Sequence, residues 1–243
     1  MMAENQESPQ EFNNGGNERP VVGNGLLVGI TGGIAAGKSR VAAYLADRGG
    51  FSRLDVDELA RELMAPGGEG WLALRQHCGE RFFNRDGELD RLGLRRAIFA
   101  DADLRTQLDR RLHPLLRRVM LARAAELLVV GNGVVVVEVP LLYEAAWEDD
   151  FDLVLVVQAS AGQCRQRLQA RDQVSRREAL AALDAQLSPE EKARRADLLI
   201  DNAGGWEQTR LLLDPLIIRL QQWRDDPFLL AAQQKKMRNE EKT

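Results

Sequence analysis

Eight consecutive residues carry the most chemistry in the shortest span. Gly32-Gly33-Ile34-Ala35-Ala36-Gly37-Lys38-Ser39 fits the phosphate-loop pattern G-x-x-x-x-G-K-[ST] in full. Gly32, Gly33 and Gly37 free the backbone to turn, so that successive N–H groups converge on phosphate oxygens. A helix starting at this point adds unpaired N–H groups and a partial positive charge. Lys38 has the reach to meet β- and γ-phosphates, and the Ser39 hydroxyl is of the type that ligates Mg²⁺. The alternative is a glycine-rich turn in which Lys-Ser is incidental, and the complete pattern between a strand and a helix argues against it. The spacing predicts a nucleoside triphosphate site.

Carboxylates stand where such a site needs them. Asp55-Val56-Asp57 follows a second apolar run, and the carboxyl ends of strands in an open α/β sheet line the ligand crevice. An acid there can accept the proton of an attacking hydroxyl or orient Mg²⁺ through water. Arg61 falls four residues after Asp57, on the same helix face. The alternative reading for either acid alone is a helix cap, but one cap is enough. Glu138 interrupts the valine run 134–139. It reads either as a Walker-B-like acid beside Mg²⁺ or as the partner of an arginine from the helical segment before it.

Arginines crowd 165–177, with Arg167 and Arg171 four apart. Planar, permanently charged guanidinium groups suit a transferring phosphoryl group, although a solvated basic face is the usual fate of such a run. His113 precedes Pro114 and reads equally as a helix end or a substrate contact. Asp201-Asn202-Ala203-Gly204 is a turn first, and a neighbour of the nucleotide base second. His77 beside Cys78 reads as packing, and Trp71, Trp147, Trp206 and Trp223 as core or flank residues.

The elements that must position these groups alternate. Apolar runs at 26–31, 51–54, 134–139, 153–157 and 198–200 read as strands, and 38–48 as a helix. Unbroken Val/Leu/Ile runs belong to strands covered on both faces, and intervening helices imply parallel crossovers. Residues 57–130 are too long for one crossover. They predict an inserted helical subdomain in which two helices, 101–113 and 114–130, meet at Pro114. A second helical excursion, 159–195, has the place of a lid. Core segments are then 25–56, 131–158 and 196–224, with 1–24 expected to be a disordered extension and 225–243 a polar tail with some helix.

Composition sets limits. The chain of 243 residues is 44% hydrophobic and 29% charged, the profile of a globular protein. A net charge of -4 disfavours a general nucleic-acid surface. No apolar run reaches the ~18 residues of a membrane span. Met1 to Asn24 lacks a signal-peptide core, so a cytoplasmic location is expected. Two cysteines, Cys78 and Cys164, fit buried thiols in a reducing compartment.

Assembled, these residues resemble the dephospho-CoA kinase family over about 26–220. The resemblance rests on Thr31-Gly32-Gly33-Ile34 before Gly37-Lys38-Ser39, on Asp55-Val56-Asp57 with Ala60-Arg61, and on Leu112-His113-Pro114. It continues in Val139-Pro140-Leu141-Leu142-Tyr143-Glu144, Arg167 with Arg171-Asp172, and Ala196-Asp197 with Ile200-Asp201-Asn202. It implies a P-loop NTPase three-layer α/β sandwich with a five-stranded parallel sheet, an inserted helical substrate subdomain and a helical lid. It also implies ATP and Mg²⁺ as cofactors and dephospho-CoA as the small-molecule partner, with no nucleic acid or membrane and a monomer or small homo-oligomer.

By position, Asp57 would be the general base with Asp55 assisting, and Lys38, Arg167 and Arg171 would act on phosphates. Residues Gly33 to Arg40 and Asn202 would hold the nucleotide, and Ser39 and Glu138 the metal. Asp57, Arg61, His113, Pro140 and Leu141 would face the acceptor. Three departures from the family pattern are Ala36 in place of a hydroxyl residue, Arg40 in place of Thr, and Cys164 in place of Gln. None deletes an essential group. A kinase for another small acceptor is the nearest rival reading, and a nucleotide-dependent switch the more distant one.

Overall fold

The computed structural model describes residues 25–240, so the extension 1–24 and residues 241–243 lie outside it. Strand β1 (Leu26–Gly32) feeds the phosphate loop and helix α1 (Lys38–Gly49). The chain continues through β2 (Ser52–Asp55), α2 (Val56–Leu63), α3 (Glu69–Cys78), α4 (Arg91–Ala100) and α5 (Ala102–Val130). After β3 (Val134–Glu138), a turn segment and a short 3-10 helix (Glu148–Asp150) lead to β4 (Leu153–Gln158). Helices α6 (Ala161–Asp172), α7 (Arg176–Asp184) and α8 (Pro189–Arg194) precede β5 (Leu198–Asp201), α9 (Trp206–Asp225) and α10 (Pro227–Glu240).

All strand pairs are parallel, in the order β2-β3-β1-β4-β5. β1 is central, with Ile30 opposite Glu138 on one side and Leu155 on the other. Every residue of β1 and β3 is buried, as their unbroken apolar runs require. One face packs Val28, Ile30, Val136 and Leu155 against Val41 and Leu45 of α1 and Leu213 and Leu220 of α9. The other packs Leu27, Val135, Val137 and Val156 against Leu59 of α2 and Met120 and Ala124 of α5. Helix, sheet and helix make the three layers.

The segment expected as two helices meeting at Pro114 is one helix, α5, with Pro114 inside it. At 29 residues it is about 43 Å long. Its first half joins Leu104 and Leu108 to Leu74 and Phe82 in a separate third core, while its second half packs on the sheet. Two sets of apolar contacts thus keep the helix continuous through the proline. The lost N–H leaves the Arg110 carbonyl without its intrahelical partner, but Arg110 and Pro114 both lie on the exposed side, within reach of water. Several helix starts are capped by side chains, among them Asp101 on Leu104 N–H and Ser160 on Gln163 N–H, while α1, α3 and α9 start after glycine.

The central position of β4 gives a test of the packing. Leu155 is fully buried between β1 and β5. Leu155→Ala should lower unfolding free energy by about 2–5 kcal/mol in a urea titration.

Candidate active site

The phosphate loop owes its shape to three positions. Gly32 has φ 147° and lies so close to the Val157 carbonyl that a Cβ would overlap it. Gly37 has φ 104°, and the Asn202 amide fills the space a side chain would need. The third left-handed residue is Ala35, at φ 60°, rather than Gly33. The Gly33 turn expected from sequence is therefore displaced by two residues. What Gly33 contributes is an open face, with no atom within 4 Å of where its Cβ would stand.

Neighbouring elements grip the loop from outside. The Ala36 carbonyl accepts a 2.7 Å hydrogen bond from Asn202 Nδ2 and a 3.3 Å bond from Arg167 Nη1. Arg167 Nη2 donates to the Asn202 carbonyl at 3.1 Å, and Thr209 Oγ1 donates to Asn202 Oδ1 at 3.0 Å. Asn202 and Arg167 thus brace the loop backbone. Arg40 lies on the outer side, its guanidinium 3.9 Å from the centre of the Trp206 ring. Lys38 is buried, and its Nζ donates to the Gly32 and Gly33 carbonyls at 3.3 and 3.1 Å.

Beside the loop stands a cluster of acids. Ser39 Oγ donates to Glu138 Oε1 at 2.6 Å, and Arg53 Nη2 donates to Glu138 Oε2 at 3.1 Å. The ion-pair partner of Glu138 comes from β2 and not from the helical segment, because parallel pairing sets β2 against β3, with Asp55 opposite Glu138. Asp55 caps α2, accepting from Asp57 N–H at 2.9 Å and Glu58 N–H at 3.4 Å, and lies 3.6 Å from Arg53. That cap leaves the Asp57 carboxylate free of helix duty.

Electrostatics separates the roles. Asp57 is exposed by area, yet enough protein crowds its carboxylate that desolvation raises its pKa; the charges of Asp55 and Glu138 act in the same direction, against Lys38 and Arg61. Burial lowers the pKa of Lys38, with Lys192 adding to the effect and Glu138 and Asp57 opposing it. The two groups therefore sense each other across the mouth of the loop.

The remaining residues lie further out. Arg171 pairs with Asp172 at 2.6 and 2.9 Å, and the charge of Asp57 adds to the pull of Asp172 in raising its pKa. Arg61 is an exposed residue of α2. His113 sits within α5, its Nε2 3.6 Å from Asp109 and its ring edge-on to Trp147. The Pro140 carbonyl accepts from Thr31 Oγ1 at 3.4 Å, and Leu141 is exposed. His77 bonds to Gln107, and among the described residues no group of three or more His, Cys, Asp or Glu is arranged for a metal. Three polar residues near the site escaped the sequence reading: Arg53, Gln186 and Lys192. Only Lys192 carried a signal, as one of five lysines in an arginine-rich chain.

Because the fold favours protonated Asp57, the stability this residue lends is present below the usual carboxylate pKa of 3.8 and lost as pH rises through its raised value. Asp57→Asn should therefore raise the melting temperature near pH 7. The gain should vanish when the scan is repeated near pH 3.

Comparison with known proteins matches this arrangement. A family model described as dephospho-CoA kinase fits residues 26–208. The dephospho-CoA kinase of Symbiobacterium thermophilum is 39% identical over 184 residues, covering 76% of this chain and 77% of that protein. That of Frankia casuarinae is 39% identical over 201 residues, covering 82% and 83%. Among solved structures, a Thermus thermophilus protein superposes with TM-score 0.70 at 33% identity over 81% of this chain and 98% of its own. The dephospho-CoA kinase from Campylobacter jejuni does so with TM-score 0.62 at 25% identity over 81% and 97%. No helix among the described residues is long and apolar enough to cross a membrane. Matched by that family model over three quarters of its length and by relatives 39% identical, the chain belongs to the dephospho-CoA kinase family.

Proposed function

We propose that the chain transfers the γ-phosphoryl group of ATP to the ribose 3′-hydroxyl of dephospho-CoA, giving coenzyme A and ADP, the last step of coenzyme A synthesis. The observation that carries this reading is the joining of the phosphate loop to the acids beside it: Ser39 Oγ donates to Glu138 at 2.6 Å, and Asp55 takes the cap of α2, so that Asp57 stands at the start of that helix without capping duty. The acceptor oxygen forms its bond to the γ-phosphorus as the bond from that phosphorus to the β–γ bridging oxygen breaks. The hydroxyl proton passes to Asp57. A carboxylate with a raised pKa is a better acceptor for that proton than an ordinary one.

Transfer proceeds through a loose transition state with charge spread over the phosphoryl oxygens, so positioned cations and N–H groups supply most of the rate. Lys38 and the loop N–H groups serve here, with Arg171 the lid arginine on which the charge of Asp57 acts. Arg167 and Asn202 act by holding the loop in its phosphate-ready shape. The residues suit Mg²⁺. Ser39 Oγ and Glu138 Oε1 are hard oxygen donors 2.6 Å apart beside the loop, and Mg²⁺ is ordinarily held by one or two such groups together with phosphates and water. When bound, the ion would neutralise charge on the β- and γ-phosphates. The α2–α5 excursion serves as the acceptor subdomain, with Arg61, His113 and Leu141 on its side, and α6–α8 as the lid that excludes water.

A coupled ADP-release assay with ATP, Mg²⁺ and dephospho-CoA, with the product weighed by mass spectrometry, tests the reading. The product should gain one phosphoryl group. Lys38→Ala should lower kcat about 10²- to 10³-fold, and Asp57→Asn about 10²-fold or more. Full activity in either variant, or transfer to a nucleoside monophosphate in place of dephospho-CoA, would defeat the assignment.

A further inference from the structure

One loop N–H group is already engaged by the lid. Ile34 N–H donates to Gln186 Oε1 at 2.9 Å, a contact between residues 152 apart in sequence. Gln186 lies between α7 and α8, and the chain just beyond it is held firmly. Leu187 N–H donates to Glu144 Oε1 at 3.0 Å, while the Leu187 side chain packs on the second core. The same Glu144 oxygen lies 2.9 Å from Nζ of Lys192, which is fully buried in α8. Ser188 caps α8 through Glu191 N–H, and Tyr143 Oη donates to the Arg195 carbonyl at 2.7 Å. The segment 140–147 therefore clamps 187–195, and Gln186 is the first residue outside the clamp.

We propose that Gln186 is a positioning residue that fastens the lid root to the phosphate loop through Ile34 N–H, and so governs whether water or the acceptor reaches the γ-phosphoryl group. The proposal rests on the kinase reading above. The residue type fits the task, because a carboxamide oxygen accepts from the loop without bringing a negative charge beside phosphates. The surroundings fit it too. Ile34 also lines a cavity of about 400 Å³ whose wall is part apolar, with Leu168 and Val174, and part charged, with Arg95, Asp172 and Glu178. At roughly 30 Å³ per water molecule, that space holds several waters next to the loop. A fastened lid root limits their passage to the phosphates, whereas a loosened one does not.

The test compares ATP hydrolysis without acceptor and transfer to dephospho-CoA, both with Mg²⁺, in the full-length parent and in Gln186→Leu. The ratio of hydrolysis to transfer should rise about three- to tenfold, the range one hydrogen bond spans, with an unchanged melting temperature. Gln186→Glu keeps an oxygen for Ile34 N–H, so its ratio should return towards that of the parent while its KM for ATP rises. An unchanged ratio in Gln186→Leu overturns the proposal whatever happens to the absolute rates, since a merely structural role would slow both reactions together. An equal rise in Gln186→Glu overturns it as well. Should Gln186→Leu not fold, Gln186→Asn, one methylene too short to reach, gives the same reading. A parent that transfers nothing to dephospho-CoA would sink the assigned function alone, and the link would then be judged on hydrolysis, which should rise by the same factor.

Discussion

A carboxylate buried at the end of a valine strand sets the terms for everything around it. Glu138 is 5% exposed and lies between β1 and β2 at the carboxyl edge of the sheet. An unpaired charge there would be strongly destabilising. Its two oxygens are instead met by Ser39, at the head of α1, and Arg53, on the neighbouring strand. Those two bonds tie the phosphate loop, β2 and β3 into one corner. They also carry a negative charge close to Lys38 and Asp57, where it favours the ammonium and disfavours the carboxylate. The same buried acid thus organises the corner and tunes the chemistry beside it.

Much of this was legible in the sequence, and the physical reason is local. A phosphate loop needs glycine, lysine and a hydroxyl at fixed spacing, so Gly32 to Ser39 announces itself. Strands covered on both faces must be apolar throughout, so β1, β3 and β4 stand out. The Asp55 cap illustrates a reading that sequence could frame but not divide. Two acids were available for one cap, and backbone geometry assigned it to Asp55. What was hidden depends on contacts distant along the chain. Arg53 meets Glu138 only because β2 pairs with β3, and Gln186 sits in an arginine- and alanine-rich stretch with no spacing to mark it. Pro114 misled for a related reason. Propensity alone breaks a helix there, but two separate cores hold α5 across it.

Lysine usage adds a second clue. The described core keeps lysine at Lys38 and Lys192, both buried, while arginine serves the surface. A slim ammonium fits a crowded interior where a guanidinium fork would demand more partners than the site offers. Lys192 of α8 meets Glu144, and its charge still reaches Lys38. This end of the sheet is therefore built on two buried cations, one facing the loop and one within α8.

The continuity of α5 has a consequence for how this chain can change over evolutionary time. Its two halves belong to different cores, so the helix acts as a ruler that fixes both distance and azimuth between them. Deleting one residue between Leu108 and Met120 would turn one core relative to the other by about 100° and draw it closer by about 1.5 Å. Such a change would shift the core that α5 shares with Leu74 and Phe82 relative to the sheet. Length variation should be absent from the middle of this helix and collect instead in the turn that contains the Phe83–Leu89 bridge, where an insertion leaves the ruler untouched.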